Sequence, residues 1–128
     1  MTNFLLVGFG GFLGAISRYG IGRIVGQYVP NPFPIATLLI NFLGCLSIGY
    51  LHEAFKNHEL FPWISVFASI GFLGAFTTFS AFSFETLELI KRGQIPYASL
   101  NVVGTVILCL AGVVVGERLG KITGSLPF

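Results

Sequence analysis

The stretch Gly71–Ser83, with the sequence GFLGAFTTFSAFS, lies inside an uncharged segment that covers residues 60–84. That segment is long enough to cross a bilayer, so its glycines and hydroxyl residues fall near the membrane midplane. Glycine weakens a helix, and the adjacent Thr77 and Thr78 can turn their hydroxyls onto backbone carbonyls. Non-helical backbone at this depth is tolerated where it is buried or lines a polar cavity, as in discontinuous helices that bind ions. The alternative is that the small residues only let a neighbouring helix approach closely.

The composition indicates an integral membrane protein. Of the 128 residues, 54% are hydrophobic and only 9% are charged, which is more apolar surface than a soluble domain of this size could bury. The chain is therefore expected to form one transmembrane domain over residues 1–128. Its Lys and Arg residues are dispersed, which argues against nucleic acid as a partner. Cys45 and Cys109 lie in separate apolar runs and are expected to be packing residues rather than a disulfide.

Four apolar spans are predicted, at residues 3–25, 35–51, 60–89 and 96–116. The predicted fold is an all-α membrane protein with four transmembrane helices per subunit and a break in the third. No basic region precedes the first span, so it is expected to be retained rather than cleaved. In that span Gly10 and Gly14 are four residues apart, as are Gly22 and Gly26, and both pairs favour close helix contact. Prolines in residues 27–34 separate the first two spans, and Gly93 is expected to end the third helix.

The distribution of positive charge suggests a dimer of unusual topology. Four spans place both termini on one side of the membrane, and three Lys or Arg residues then fall on each side. Because neither side is favoured, the chain is expected to insert in both orientations and to pair as an antiparallel, dual-topology homodimer. Four helices also leave little room for a pore in one subunit. The alternative is that weaker signals fix the orientation. The charges are Lys56, Arg118 and Lys121 on one side, and Arg23, Lys91 and Arg92 on the other.

The sequence gives no sign of an enzyme. It has no aspartate, and no Ser-His-acid, phosphate-loop or zinc motif is present. His52 and His58 lie in a polar loop without the neighbouring cysteines or carboxylates that a metal site would need.

Polar residues within the spans are the candidates for function. Asn41 can donate hydrogen bonds to an ion or simply bridge two helices. Arg18 is a functional candidate because it is ionisable and intramembrane, although it could also extend to the nearby interface. Glu85, at the end of the third span, is either a vestibule residue or an exposed charge. Along the fourth span a polar stripe of four-residue spacing either lines an ion path or forms a seam between helices: Tyr97, Asn101, Thr105 and Cys109.

Phe79 and Phe82 are three residues apart and so share a helix face. Aromatic pairs usually serve packing or contact lipid, but a phenyl ring has a positive edge. Ring edges directed at a pore could stabilise a small anion without the full charge that would trap it.

Four blocks of residues resemble the Fluc (CrcB-type) family of bacterial fluoride channels over nearly the whole chain. The block in the third span is the most specific of the four. The blocks are Gly11-x-x-Gly14-Ala15-x-x-Arg18-Tyr19, Pro34-x-x-Thr37-Leu38-x-x-Asn41-x-x-Gly44, Gly71-x-x-Gly74-x-x-Thr77-Thr78-Phe79-Ser80-x-Phe82-Ser83-x-Glu85, and Asn101.

The resemblance implies an antiparallel, dual-topology homodimer in the inner (plasma) membrane, with two pores for passive fluoride export. It implies a structural Na⁺ that is not transported, held by the backbone carbonyls of Gly74 and Thr77 from both subunits. It also implies a vestibule containing Arg18 and Glu85. The implied fluoride pore is lined by Phe79, Phe82, Asn41, Ser80, Ser83, Asn101 and Thr105.

Two positions depart from the family pattern, because Ala81 and Ala36 stand where the family usually has threonine and glycine. The first puts one hydroxyl near the pore in doubt. The alternative function is a small multidrug-type, proton-coupled exporter. That mechanism needs a membrane-embedded carboxylate, and the only candidate, Glu85, lies beyond the predicted break.

Overall fold

The computed structural model describes residues 1–29, 33–59 and 61–124, and every element in these ranges is helical. Four stretches are long and apolar enough to cross a membrane, which confirms the predicted spans. Prolines 30 and 32, the predicted start of the third span at residue 60, and residues 125–128 lie outside the described ranges. The elements are α1 (Thr2–Tyr28), α2 (Ile35–Phe55), α3 (Phe61–Ile64), a π-helical segment (Ser65–Leu73), α4 (Gly74–Phe76), α5 (Phe79–Lys91) and α6 (Ile95–Gly124).

The third span is interrupted at Thr77 and Thr78, as predicted. Thr77 has φ −76° and ψ 158°, and Thr78 has φ −148° and ψ 113°, so both residues are extended. The chain becomes helical again at Phe79, where the Thr78 hydroxyl accepts a hydrogen bond from the amide of Ala81 and caps α5. Gly93 ends this helix with φ 72°, which also agrees with the prediction.

Small residues let α1 approach the π-helical segment. A Cβ atom at Gly14 would overlap the backbone carbonyl of Phe72, so the predicted close contact at Gly10 and Gly14 is confirmed. The same prediction is wrong for Gly22 and Gly26 within the subunit, because a Cβ atom at either would meet nothing within 4 Å. Both pairs have the same four-residue spacing, so the sequence could not show that Gly10 and Gly14 face another helix of the subunit whereas Gly22 and Gly26 do not.

The most extensive helix contact joins α2 and α6, the second and fourth spans. Gly116 lies so close to the carbonyl of Leu46 that a Cβ atom would overlap it. Glycines of α6 recur every fourth residue and meet α2 residues that advance in the same direction, so the two helices run parallel. The pairs are Gly112 with Phe42, Gly116 with Leu46, and Gly120 with Tyr50.

The apolar interior of one subunit is small. Ile40, Leu73 and Phe76 form its buried cluster, between α2 and the end of the π-helical segment. Many large apolar side chains are exposed instead, such as Phe12 at 60% and Ile107 at 60%. These surfaces are suited to lipid or to another membrane subunit.

Candidate functional site

Asn41 holds the interruption in the third span from α2. Its Nδ2 donates to the carbonyl oxygen of Thr78 at 3.1 Å, and its Oδ1 accepts from the amide of Thr78 at 2.8 Å. Both residues are buried. The side-chain oxygen therefore replaces the Gly74 carbonyl that the Thr78 amide would meet in a continuous helix. The side-chain N–H is an additional donor to the Thr78 carbonyl, which as the N-cap carbonyl also accepts the first bond of α5. Of the two roles considered for Asn41, the structure shows the bridge between two helices. Asn41 also lines a cleft described below, and donation to an ion there stays a prediction.

The interruption diverts the amides that would bond to two backbone carbonyls. The amide of Thr78 bonds to Asn41 rather than to Gly74, and the amide of Ala81 bonds to Thr78 Oγ1 rather than to Thr77. The Gly74 and Thr77 carbonyls therefore lack their usual α-helical partners. Both residues line a cleft of about 170 Å³, called here the glycine cleft, together with Gly44 and Cys45.

Arg18 reaches the interruption from α1. Its Nη1 donates to the carbonyl oxygen of Thr77 at 3.4 Å, and the contact is partly buried. Within the subunit, the guanidinium is thus directed to the third span, and a functional role of Arg18 stays a prediction. This contact also gives the Thr77 carbonyl a partner from another helix.

A cleft of about 590 Å³, called here the arginine cleft, contains both predicted vestibule residues. Thr37 Oγ1 donates to Glu85 Oε1 at 2.8 Å, whereas the buried Glu85 Oε2 has no hydrogen-bond partner among the described residues. A cation and a carboxylate therefore face one polar space. Its lining includes Arg18, Thr37, Thr78, Ser80 and Glu85.

On the other side of Thr78 lies the phenylalanine cleft, of about 280 Å³. The rings of Phe79 and Phe82 are tilted by 40° with their centroids 5.5 Å apart. Phe79 is 78% exposed in the single subunit, so its ring projects from the subunit surface rather than into the core. The cleft is lined by Asn41, Cys45, Thr77, Thr78, Phe79, Phe82, Thr105, Val106 and Cys109.

The polar stripe of α6 has two kinds of member. Asn101 is only 1% exposed and donates from Nδ2 to Thr86 Oγ1 at 2.9 Å, which makes it part of a seam between α5 and α6. Thr105 donates to Asn101 Oδ1 at 3.3 Å and also lines the phenylalanine cleft. The stripe thus connects a buried seam to an open cleft, and Asn101 itself lies outside the arginine, phenylalanine and glycine clefts.

The two predicted serines occupy different places. Ser80 lines the arginine cleft, and its Oγ lies 3.2 Å from Thr78 Oγ1. Ser83 is exposed, donates to the carbonyl of Phe79 at 2.9 Å, and lies outside the three clefts. The structure thus brings Ser80 to the site and leaves Ser83 on the outer face of α5.

Thr78 was not among the residues predicted to line the pore, yet it lines both the arginine cleft and the phenylalanine cleft. Its hydroxyl also caps α5 and contacts Ser80. The adjacent residues Thr77 and Thr78 predicted the break. The sequence could not show that Thr78 would line two separate clefts, because that depends on how the helices pack.

A multi-pass membrane protein whose interrupted span borders clefts that contain a few polar side chains has the architecture of an ion-transport protein. In bacteria, such a protein resides in the plasma membrane. Residues 5–117 match the family described as CrcB-like protein, Camphor Resistance (CrcB), and the chain belongs to that family. The resemblance predicted from the four sequence blocks is therefore confirmed.

Curated relatives align over most of their length. The chain is 43% identical to the "Fluoride-specific ion channel FluC" of Ruminiclostridium cellulolyticum, with 98% of each chain covered. It is also 43% identical to the protein of that name from Elusimicrobium minutum, over 95% of this chain and 96% of the relative. A Campylobacter jejuni protein of the same name is 43% identical over 86% of this chain and 90% of its own. The name that these relatives share is that of an ion channel, and ion channels are not a class of enzyme.

Proposed function

We propose that this chain is a fluoride channel that lets fluoride leave the cytoplasm passively. The proposal is carried by the placement of Thr78, which lines both the arginine cleft and the phenylalanine cleft. Open space thus reaches the interruption at two clefts that share one residue. The relatives named for fluoride supply the identity of the ion. The proton-coupled exporter is not favoured, because these relatives are named as ion channels.

Fluoride is small, strongly hydrated and a strong hydrogen-bond acceptor, so a pore must replace its water with donors. Asn41 has two N–H groups, and its bond to the Thr78 carbonyl uses one. The hydroxyls of Thr78 and Ser80 stand at the entry from the arginine cleft. Arg18 supplies a positive charge to that cleft, which attracts anions and offsets the Glu85 carboxyl on the same lining. The ring edges of Phe79 and Phe82 supply weak positive potential beyond Thr78, and weak contacts permit release.

The proposed channel is an antiparallel homodimer. The exposed ring of Phe79 and the small apolar interior leave the phenylalanine cleft open on one side, and a second copy would enclose it. Equal numbers of positive charges on the two sides of the membrane support opposite orientations.

The glycine cleft fits a structural Na⁺ in this dimer. The carbonyls of Gly74 and Thr77 are oxygen ligands of the kind that hard cations take, and the interruption diverts their amide partners. Arg18 donates to the Thr77 carbonyl at 3.4 Å, so the cation would use the second lone pair of that oxygen. Two carbonyls are too few for such an ion, so the ligands would come from both subunits. The cation would join the subunits and would not be transported.

Passive flow is sufficient for export. Hydrogen fluoride enters cells as a neutral weak acid and ionises inside. An inside-negative potential then favours the exit of an anion by about 2.3 kcal/mol per charge for each 100 mV. No residue that couples transport to an energy source is required.

The test is ion release from liposomes that contain the purified protein. A fluoride electrode should record rapid fluoride release, and a chloride electrode should record none. Proton-dependent uptake of a lipophilic cation would instead support the exporter. Liposomes that release neither ion, from protein shown to be folded, would contradict both transport functions.

A further inference from the structure

Two cysteines from different helices meet at the phenylalanine cleft. Cys45 is on α2 and Cys109 is on α6; both thiols are free and partly buried, and both line the cleft beside Asn41 and Thr105. The sequence alone suggested only two unrelated packing residues, because they are far apart along the chain.

The backbone around these thiols is held firmly. Gly112 of α6 packs against the ring and carbonyl of Phe42, so the two helices are in close contact within one turn of both cysteines. Thiols fixed on two closely packed helices lose little further freedom when a ligand bridges them, so a bridging ligand is favoured.

We propose that Cys45 and Cys109 form a dithiol site for a soft, two-coordinate metal cation such as Hg²⁺, and that the bound metal obstructs the phenylalanine cleft. Thiol sulfur is a soft ligand and selects soft metals over hard ones. In binding Hg²⁺, each thiol would lose its proton to water and form one S–Hg bond in place of a bond from mercury to chloride or to the competing monothiol, which leaves as the free ligand, with no change of oxidation state. Zinc is less suitable, because structural zinc takes four ligands and no group of three His, Cys, Asp or Glu occurs among the described residues.

The first test measures binding and does not depend on the channel function. Purified protein is titrated with HgCl₂ in the presence of excess monothiol, and the bound metal is counted by intact mass spectrometry. We expect one Hg²⁺ per chain, with both cysteines then protected from alkylation. Bridging by two thiols raises affinity about 100-fold or more over one thiol, so Cys45→Ser and Cys109→Ser should each lose that factor. Two Hg²⁺ per chain, or wild-type affinity in either serine variant, would overturn the dithiol site.

The second test concerns obstruction and rests on the proposed fluoride channel. HgCl₂ should stop fluoride release from liposomes containing the wild-type protein, and a dithiol reagent should restore it. The Cys45→Ser, Cys109→Ser double variant should release fluoride at the same rate with and without HgCl₂. Metal bound between the two thiols with undiminished fluoride release would overturn the obstruction. Wild-type protein that releases no fluoride even without metal would instead count against the channel, and the binding result would stand separately.

Discussion

The side chain of Asn41 makes two hydrogen bonds to the backbone of Thr78, one to its carbonyl and one to its amide. These bonds join α2 to the interruption of the third span, between the arginine and phenylalanine clefts. A single side chain therefore both stabilises the extended backbone and lines the space next to it.

Replacing Asn41 with alanine should lower both stability and fluoride release. The buried amide of Thr78 would lose its partner, and an unsatisfied buried group costs about 1–3 kcal/mol, while the Thr78 carbonyl would keep only its bond within α5. We expect a lower Tm in detergent and at least about a tenfold loss of fluoride release, which equals about 1.4 kcal/mol in the barrier. Asn41→Asp keeps an acceptor for the Thr78 amide but replaces the donor to the Thr78 carbonyl with a buried carboxyl, so it should also release fluoride poorly. An alanine variant with wild-type Tm and release would contradict this role.

Replacing Phe82 with isoleucine should stop fluoride release while the protein still folds. Isoleucine keeps an apolar side chain in the phenylalanine cleft but removes the positive ring edge. Release should fall by about tenfold or more, a barrier increase of about 1.4 kcal/mol, as measured with a fluoride electrode. Phe4→Ile is the control, since Phe4 is 84% exposed and lies outside the clefts. Unchanged release in the Phe82 variant would remove this ring from the mechanism.

Assembly of the active dimer should require Na⁺. Without a cation, carbonyl oxygens from two subunits would face each other across the glycine cleft and repel. Protein purified and reconstituted with K⁺ as the only alkali cation should show little fluoride release, and addition of Na⁺ during reassembly should restore it. Full activity in rigorously Na⁺-free dimers would count against the site at Gly74 and Thr77.

A reporter at the C-terminus should be found on both sides of the membrane in comparable amounts. The variant Asn57→Lys, Glu59→Lys adds positive charge to one polar loop and should shift most copies to the orientation with that loop in the cytoplasm. This biased variant alone should then release little fluoride, because antiparallel partners become rare. One-sided labelling of the unmodified chain would refute dual topology.

Gly116→Ala should destabilise the subunit, whereas Gly104→Ala on the same helix should not. A Cβ atom at Gly116 would overlap the carbonyl of Leu46, and such overpacking costs about 1–3 kcal/mol. At Gly104 the added atom would meet only the Leu100 side chain at an ordinary distance of 3.8 Å. Alanine there should raise stability by about 0.4–1 kcal/mol, because it restricts the unfolded chain. Equal Tm values for the two variants would show that α2 and α6 do not depend on this contact.

Much of the fold could be predicted because membrane spans are set by the length of apolar runs. The break could also be predicted, since glycines weaken a helix at mid-membrane depth and adjacent threonines offer hydroxyls to the freed backbone. The π-helical segment Ser65–Leu73 was not predicted, because its sequence is as apolar as an ordinary span. It packs on α1 at Gly10 and Gly14, and that contact exists only in the folded subunit.

The candidate site was predicted as a set of residues but not as an arrangement. Residue spacing placed Asn101 and Thr105 on one stripe of α6. In the structure, however, the Asn101 side-chain amide donates a hydrogen bond to Thr86 of α5. Likewise, the partnership of Asn41 with Thr78 and that of Cys45 with Cys109 depend on which helices are neighbours. The glycines of α6 recur as regularly as those of α1, but only the structure shows that α2 is their partner.

The pairing of α2 with α6 affects how the chain matures in the cell. The contact between α2 and α6 can form only after α6 has been synthesised. The time between the synthesis of α2 and that of α6 is on the order of seconds at ordinary rates of translation. During synthesis the early helices therefore sit in the bilayer with one side uncovered. A chain released before α6 is complete would leave the α2 face that receives Gly112, Gly116 and Gly120 in contact with lipid.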